Sequence, residues 1–143
     1  MTLLSQLLDS KGRAIHAIEP GAAVIDAIRS MAQNHVGALV VMDGRQLAGI
    51  VSERDYARKV ILLGRSSSTT AVREIMSSPV FSVHPDQTVE ECMDLMTRKH
   101  IRHLPVVDGE AIVGFVSIGD LVKYRIERIE SEAEAMRSYI QSA

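Results

Sequence analysis

Two stretches of the chain show the same order of apolar and polar positions. In each stretch a short apolar segment (residues 14–18 and 80–83) leads to a proline, and a helix-like spacing of apolar residues follows. Two further apolar runs come next, and they span residues 37–42 and 47–51 in the first stretch and 103–107 and 112–116 in the second. This succession predicts a β-α-β-β-α unit that occurs twice in a mixed α/β (α+β) protein.

The turns and helices of each predicted unit also match. The helix faces carry Val24, Ile28 and Met31 in the first unit and Val89, Met93 and Met96 in the second. Asp-Gly pairs at Asp43 and Asp108 separate the two apolar runs and predict hairpins with type I′ turns. A closing helix is expected to begin near Asp55 in one unit and near Asp120 in the other.

The two stretches are an internal repeat, because shifting the chain by sixty-five residues aligns 20–55 with 85–120 without a gap. Twelve of the thirty-six aligned positions are identical, among them Gly49/Gly114, Ser52/Ser117 and Asp55/Asp120. Two copies are too few for a solenoid. We therefore expect two units that pack about a pseudo-twofold axis, share one core and form two related clefts lined by both repeats.

The remaining segments complete the expected organisation. Leucines at 3, 4, 7 and 8 predict an amphipathic helix over residues 2–9, and Thr70 is expected to cap a short helix over 72–76. Arg65 and the serines after it are interpreted as a solvated linker, and a phosphate-binding segment is the alternative. Helical spacing from Leu121 to Tyr139 predicts a long C-terminal helix that either mediates dimerisation or folds back. The predicted boundaries are an N-terminal helix at 1–10, repeats at 11–63 and 76–130, a linker at 64–75 and a C-terminal extension at 131–143.

Composition narrows the function classes. The net charge of −2 gives no general attraction to nucleic acid or an anionic membrane, and no apolar run is long enough for a transmembrane helix. These features favour the cytoplasm, with a processed mitochondrial matrix protein as the alternative. The one cysteine, Cys92, excludes an internal disulfide and is interpreted as a core residue rather than a redox-sensing thiol.

Catalytic and metal-binding motifs are missing from the sequence, so we expect a protein that is not an enzyme. His35 and His100 occupy equivalent positions after a helix and are interpreted as helix-end residues. Ser52 with Asp55 and Ser117 with Asp120 lie at strand-to-helix junctions. Each aspartate could accept hydrogen bonds from ribose hydroxyls, with Arg54, Arg102 and His103 as phosphate donors nearby. The same residues could equally serve only as helix caps and solvated surface.

The motif G-h-h-S-x-x-D (h, apolar), present twice, and the segment Ile101-Arg102-His103-Leu104-Pro105-Val106 before the second Asp-Gly turn identify a family. The sequence from about Gly12 to Arg128 resembles a tandem cystathionine-β-synthase (CBS) domain pair, or Bateman module, of the small stand-alone bacterial type. The resemblance implies adenine nucleotides or related adenosyl ligands in two clefts and disc-shaped homodimers. It implies no catalytic cofactor, and a partner protein as the output.

The resemblance also implies site residues. In one cleft Asp55 would hold ribose with Ser52 nearby, and Arg102 and His103 would meet the phosphate. In the other, Asp120 and Ser117 would be joined by Arg54. The adenine would lie near Ala14, His16, Val36 and Gly37 in one site and near Pro79, Phe81 and Ile101 in the other. The expected function is a non-catalytic sensor of AMP, ADP, ATP, NAD or S-adenosylmethionine, and the alternative is a ligand-independent dimeric adaptor.

Overall fold

The computed structural model of the chain describes residues 2–142, so Met1 and Ala143, the outer ends of the predicted terminal segments, lie outside the described residues. The chain folds into two compact units. The first-repeat unit comprises Ala14–Phe81, and the second-repeat unit combines the residues up to Arg13 with those from Ser82 onward. The mixed α/β class predicted from the sequence is confirmed.

The elements follow the predicted order, except that the second repeat lacks its first strand. In chain order they are α1 (Leu4–Lys11), β1 (Ala17–Ile18), α2 (Val24–Asn34), β2 (Ala38–Asp43), β3 (Gln46–Ser52), α3 (Glu53–Tyr56), a π-helical turn (Ala57–Ile61), a 3₁₀ turn (Val72–Glu74), α4 (Val89–Lys99), β4 (His103–Asp108), β5 (Ala111–Ser117) and α5 (Ile118–Ser142).

The sheets are small, and the first apolar segment of each repeat is shorter than predicted. In the first-repeat unit β1 pairs in parallel with β2, and β2 pairs antiparallel with β3. In the second-repeat unit β4 and β5 form an antiparallel pair. The strand predicted over 80–83 is wrong, since only Val83 forms an isolated parallel bridge, with Val106. That bridge occupies the position of the β1 pair between Ile18 and Val41, sixty-five residues earlier.

The hairpins occur where the Asp-Gly pairs predict them, but the turn type differs. Asp43 pairs with Gln46 and Asp108 with Ala111, so the aspartates belong to the strands and the glycines begin two-residue loops. Gly44 has φ 61° and Gly109 has φ 64°, whereas the residues that follow them do not have positive φ. A type I′ turn requires positive φ at both central positions, so the predicted type I′ turn is wrong.

The two equivalent histidines end α2 and α4, as predicted. His35 and His100 both adopt the left-handed conformation with φ 54°, and their backbone N–H groups donate to Met31 O and Met96 O. A residue in this conformation stops a helix by turning its backbone out of the helical path. The shared helix stop places β2 and β4 at the same point in each repeat.

Each repeat has its own aliphatic core. In the first-repeat unit buried side chains of α2, β2 and β3 meet Val72 and Ile75 from the segment around the 3₁₀ turn. In the second-repeat unit the buried side chains of α4, β4 and β5 meet three leucines of α1, Leu4, Leu7 and Leu8. The leucine-rich N-terminal helix is therefore part of the core of the second repeat, although the first repeat follows it in the chain.

One prediction about a helix start needs correction. Thr70 does not cap the 3₁₀ turn, because its hydroxyl donates to Ser66 O at 2.7 Å. The closing helices α3 and α5 begin at Glu53 and Ile118, near the two aspartates as predicted, so each aspartate is the third residue of its helix. No helix among residues 2–142 is both long and apolar enough to span a bilayer.

Candidate functional site

Ser52 and Asp55 form a closed hydrogen-bond pair at the junction of β3 and α3. The backbone N–H of Asp55 donates to Ser52 Oγ at 3.1 Å, and the backbone N–H of Ser52 donates to Asp55 Oδ2 at 3.0 Å. The Ser52 hydroxyl also donates to Oδ2, at 3.0 Å. This reciprocal arrangement is a capping box, in which the serine is the N-cap and the aspartate satisfies the N–H of the serine.

Ser117 and Asp120 repeat this arrangement between β5 and α5. The Asp120 N–H donates to Ser117 Oγ at 3.1 Å, and the Ser117 N–H donates to Asp120 Oδ2 at 2.9 Å. The caps that the sequence left as one of two interpretations are therefore present in both repeats. A carboxylate has about four acceptor positions, so a cap does not exclude a ligand.

A lysine approaches each aspartate, and the two lysines come from different parts of the chain. Lys59 Nζ lies 3.2 Å from Asp55 Oδ1 and also donates to Ile75 O at 2.8 Å. Lys11 Nζ, at the end of α1, lies 3.2 Å from Asp120 Oδ2. The side chain of Asp55 is 12% exposed, compared with 31% for Asp120.

The two junctions differ in which carboxylate oxygens are occupied. At Asp55 the cap uses Oδ2 and the lysine uses Oδ1. At Asp120 the cap and the lysine both use Oδ2, and within residues 2–142 no hydrogen bond or ion pair is made by Oδ1. Asp120 thus retains a whole carboxylate oxygen for another donor.

The backbone beside each junction is contributed by the start of the preceding strand. Gly37 O accepts from Glu53 N at 3.0 Å, and Arg102 O accepts from Ile118 N at 2.8 Å. Val36 and Ile101 precede these two residues, and both are half-buried. The structure therefore brings Val36 and Gly37 to the Ser52 junction, and Ile101 and Arg102 to the Ser117 junction.

The other predicted site residues have less direct positions. His103 pairs with Ser117 across the β4–β5 ladder, and its ring stacks on Phe115 with centroids 5.7 Å apart. The carbonyl of His16 accepts from Val40 N at 3.1 Å. Arg54, Ala14, Pro79 and Phe81 are exposed. The assignment of Arg102 and His103 to the Asp55 site, and of Arg54 to the Asp120 site, stays a prediction.

Cys92 lies in the core of the second-repeat unit and has no exposed surface. Burial, reinforced by the negative charges of Glu91 and Glu90, raises the pKa of its thiol to about 12. A thiol in this state is a poor nucleophile at neutral pH, which supports the core interpretation over redox sensing. Among the described residues, no group of three or more His, Cys, Asp or Glu side chains could hold a metal ion.

Both repeats match a known family model. The model of the CBS domain matches residues 12–62 and again 72–127. The chain belongs to the CBS domain family.

Relatives with and without solved structures support this membership. The CBS protein is 40% identical to the Arabidopsis thaliana protein "CBS domain-containing protein CBSX3, mitochondrial", over 98% of this chain and 72% of that one. It is 33% identical to YhcV of Bacillus subtilis, over 82% of this chain and 84% of that one. A Burkholderia ambifaria CBS-domain structure, described as a candidate signal-transduction protein, has 50% identity and a TM-score of 0.85, covering 88% and 95% of the two chains.

The lysines are the site residues that sequence reasoning missed. Lys59 is four residues after Asp55 on a helical segment, a spacing that favours an ion pair, so a signal for it existed. Lys11 precedes Asp120 by more than a hundred residues and has no such local signal. Its position depends on the packing of α1 against the second repeat.

Proposed function

We propose that this CBS protein is a non-catalytic regulatory module that binds an adenine nucleotide or adenosyl compound, acts as a homodimer and signals to a partner protein. The candidate ligands are AMP, ADP, ATP, NAD and S-adenosylmethionine. Recognition of the ribose is assigned to Asp120 first and to Asp55 second. The cytoplasmic location expected from the sequence stays a prediction.

The open Oδ1 of Asp120 carries the proposal. A ribose presents two adjacent hydroxyl donors, and one carboxylate oxygen with two free lone pairs can accept from both. At Asp55 the lysine already uses one acceptor position of Oδ1. Asp55 is also the less exposed of the two aspartates. The ribose hydroxyls would therefore compete with Lys59 for Oδ1 and would have less space to approach the carboxylate.

Lys11 supplies a route from ligand to signal. A ligand hydroxyl at Asp120 Oδ1 would weaken the attraction between Oδ2 and the ammonium at the end of α1, because both groups draw on the charge of the same carboxylate. Binding shifts a conformational equilibrium only if the ligand's affinity differs between the states. A changed Lys11 contact is such a difference, and the end of α1 beyond its three buried leucines is the part that would move.

One structural neighbour gives chemical support for an adenosyl ligand. The CBS domain pair of protein MJ0100 was solved with 5′-methylthioadenosine and S-adenosyl-L-methionine, and it has the same fold with a TM-score of 0.77. Its sequence identity to this chain is 23%. The likeness extends to the fold, and the adenosyl ligand is transferred here as part of the proposal.

A ligand-independent dimeric adaptor is the second candidate function. It is favoured by the lysines, since each aspartate is already paired with a cation without any ligand. In this function the capping boxes only stabilise helix starts. The two candidates differ in whether an adenine compound stabilises the protein.

The test measures thermal stability with each candidate ligand, with GTP as the base control. A ligand at about a hundred times its dissociation constant stabilises the native state by about 2.7 kcal/mol, which shifts Tm by several degrees. Comparing each hit with its 2′-deoxy analogue isolates the ribose contact. Loss of one hydrogen bond to a charged acceptor is expected to weaken binding about tenfold to a hundredfold.

Asp120→Asn is the informative variant, because its amide oxygen can still accept from Ser117 N, while an NH2 donor group replaces the second carboxylate oxygen. We expect it to weaken the ribonucleotide and to abolish discrimination against the deoxy analogue. Asp55→Asn should have a smaller effect, and Asp94→Asn, an exposed aspartate on α4, is the matched control. If no adenine compound shifts Tm of nucleotide-free protein, the sensor is rejected in favour of the adaptor.

A further inference from the structure

The outer part of α5 has an apolar stripe that none of the described residues of its own unit covers. Tyr124 is the last α5 residue packed against the core of the second-repeat unit, and every residue from Arg125 to Ser142 is exposed. The stripe consists of Val122, Ile126, Ile129, Ala133, Met136 and Ile140. Its larger members are between 39% and 65% exposed.

The spacing of the stripe is that of a coiled-coil seam. Successive members are four, three, four, three and four residues apart, which is a strict seven-residue repeat. Val122, Ile129 and Met136 occupy the d positions, and Ile126, Ala133 and Ile140 occupy the a positions. On a straight α-helix, apolar residues that repeat every 3.5 positions drift slowly around the helix. When two such helices wind around each other, these residues face the partner helix along the whole length.

The charges beside the seam select the partner and its direction. Arg125 and Glu132 occupy g positions, and Glu130 and Arg137 occupy the e positions five residues later. In a parallel, in-register pairing of two copies, each g residue faces the following e residue of the other copy. Arg125 then faces Glu130, and Glu132 faces Arg137, so every such pair has opposite charges.

An antiparallel pairing of the same length would oppose like charges. Residues at e positions then face e positions, and g positions face g positions. Glu130 would meet Glu130, Glu132 would meet Glu132, and Lys123 would meet Arg137 of the other copy. Like charges in facing positions disfavour a partner, which makes the parallel direction the complementary one.

Contacts within one copy leave Glu132 and Arg137, the pair nearer the C-terminal end of α5, available to a second copy. Arg125 Nη1 lies 2.6 Å from Glu90 Oε1, so this guanidinium would have to serve two carboxylates. Among residues 2–142, Glu132 makes a 3.8 Å ion pair with Arg128, and Arg137 Nε donates to Ala133 O at 3.5 Å, both within α5. Glu132 and Arg137 are therefore the pair on which a test should be built.

We propose that the exposed face of α5 pairs with the same face of a second copy of this chain, in parallel and in register. The pairing rests on the homodimer of the proposed function, and it names the surface and direction that the homodimer uses. Ile and Val at most of the a and d positions are also compatible with a coiled coil of more than two helices. The parallel register is the same in each case, and the copy number is read from the measured mass.

Charge reversal in the full chain tests the pairing. Wild type is expected to sediment at a multiple of the 15.7 kDa chain mass. Glu132→Lys and Arg137→Glu each place like charges opposite each other twice per pair of copies, and we expect each to raise the dissociation constant about tenfold or more. The double variant restores opposite charges in the parallel register and should restore association. Ser138→Glu, on the far side of the helix, is the control.

A cysteine variant reads the register directly. Ile140→Cys places two thiols in one a layer of a parallel pair, whereas an antiparallel pair separates them by about 27 Å along the axis. A disulfide needs Cα atoms within about 7 Å. We expect mild oxidation to cross-link Ile140→Cys but not Ser138→Cys. The native Cys92 is buried and does not compete.

Three results would overturn the pairing. They are a monomeric wild type, an oligomer that all the charge variants leave unchanged, and a double variant that stays dissociated while each single variant remains folded by circular dichroism. The second result would leave a homodimer that uses another surface. Nucleotide-induced Tm shifts are measured separately, so failure of the α5 pairing and failure of the nucleotide site are distinguishable.

Discussion

Residues 70–76 occupy the same place in the first-repeat unit as residues 2–8 do in the second-repeat unit. Each segment forms an antiparallel bridge to the residue before the first long helix of its unit, Ala71 with Ala23 and Leu3 with Thr88. The matching hydrogen bonds run from Val24 N to Thr70 O and from Val89 N to Thr2 O, both at 2.9 Å.

The side chains of the two segments also correspond. Leu8 packs over Gly114, and Met76 packs over Gly49, the glycine that lies sixty-five residues before Gly114 and is equivalent to it. Glu74 accepts from Ala71 N, as Gln6 accepts from Leu3 N. Buried apolar residues follow the same order in both segments, with Leu4 and Leu7 in one and Val72 and Ile75 in the other.

The correspondence shows that each repeat is completed by a segment that precedes the other repeat in the chain. Residues 2–8 precede the first repeat and complete the second, whereas residues 70–76 precede the second repeat and complete the first. The two segments differ in length of helix: α1 has eight residues, whereas the 3₁₀ turn has three. Because α1 is longer, it can carry Lys11 as far as Asp120.

The strongest test of this comparison truncates one buried residue in each segment. Leu7→Ala and Ile75→Ala should each lower the free energy of unfolding by about 2–5 kcal/mol, because both side chains are almost fully buried. Amide hydrogen exchange should rise mainly within Ala14–Phe81 for Ile75→Ala and from Ser82 onward for Leu7→Ala. Faster exchange in the opposite unit would show that the segments are wrongly assigned.

The two equivalent glycines should tolerate a methyl group unequally. A Cβ at Gly49 would lie 2.9 Å from the backbone oxygen of Ser77 and 2.7 Å from Met76 Sδ, whereas the three atoms nearest to a Cβ at Gly114 all belong to the side chain of Leu8. We expect Gly49→Ala to cost about 1–3 kcal/mol, and Gly114→Ala to cost less, since terminal methyl groups move more easily than backbone.

Denaturant titration of both glycine variants measures this difference. Leu8→Ala is the control for the second site, because it removes the atoms that Gly114→Ala would contact. The cost of Gly114→Ala should therefore shrink in the Leu8→Ala background. Equal costs for the two glycine variants would contradict the contrast between a rigid and a movable neighbour.

Cys92 in α4 and Ala27 in α2 are equivalent buried residues of the two repeats, but only Cys92 can titrate. We therefore expect a smaller effect, a dependence of the free energy of unfolding on pH that comes from the second repeat alone. The folded protein holds the thiol neutral because its pKa is raised from 9.0 to about 12. Above about pH 9 the unfolded chain therefore loses this proton first, and the free energy of unfolding falls as pH rises toward 12. Below pH 9 the thiol contributes no pH dependence.

Urea unfolding of wild type and Cys92→Ala at about pH 8 and about pH 10 isolates this contribution, because other alkaline groups titrate in both proteins. We expect the wild type to lose more stability than the variant between these conditions. Native Cys92 should also react with a thiol reagent far more slowly than the unfolded chain. Fast labelling of native protein would revive the redox-sensing interpretation.

Local patterns were enough to predict much of each repeat. The helices, hairpins and histidine helix ends followed from apolar spacing and turn residues, since these depend on residues close in sequence. The prediction of a strand at 80–83 was wrong because an apolar run does not show whether the backbone of a neighbouring strand is free to pair with it. The turn type was misjudged because Asp-Gly preference does not fix which two residues become central.

The residues of the candidate site were predictable from the sequence, but their contacts were not. The sequence alone determined that two S-x-x-D junctions exist and that they are equivalent. It could not assign the carboxylate oxygens, because Lys59 and Lys11 approach through different elements. Only tertiary packing made Asp120, with its open Oδ1, different from Asp55.

The amino-acid sequence by itself determined the repeat, the aliphatic core positions and the heptad stripe of α5, because each is a periodic pattern within one segment. The tertiary structure decided that residues 2–8 complete the second repeat and residues 70–76 the first. A leucine-rich helix is equally apolar whichever sheet it covers, so its partner is set by the shape of the surface. That surface exists only after distant strands have paired.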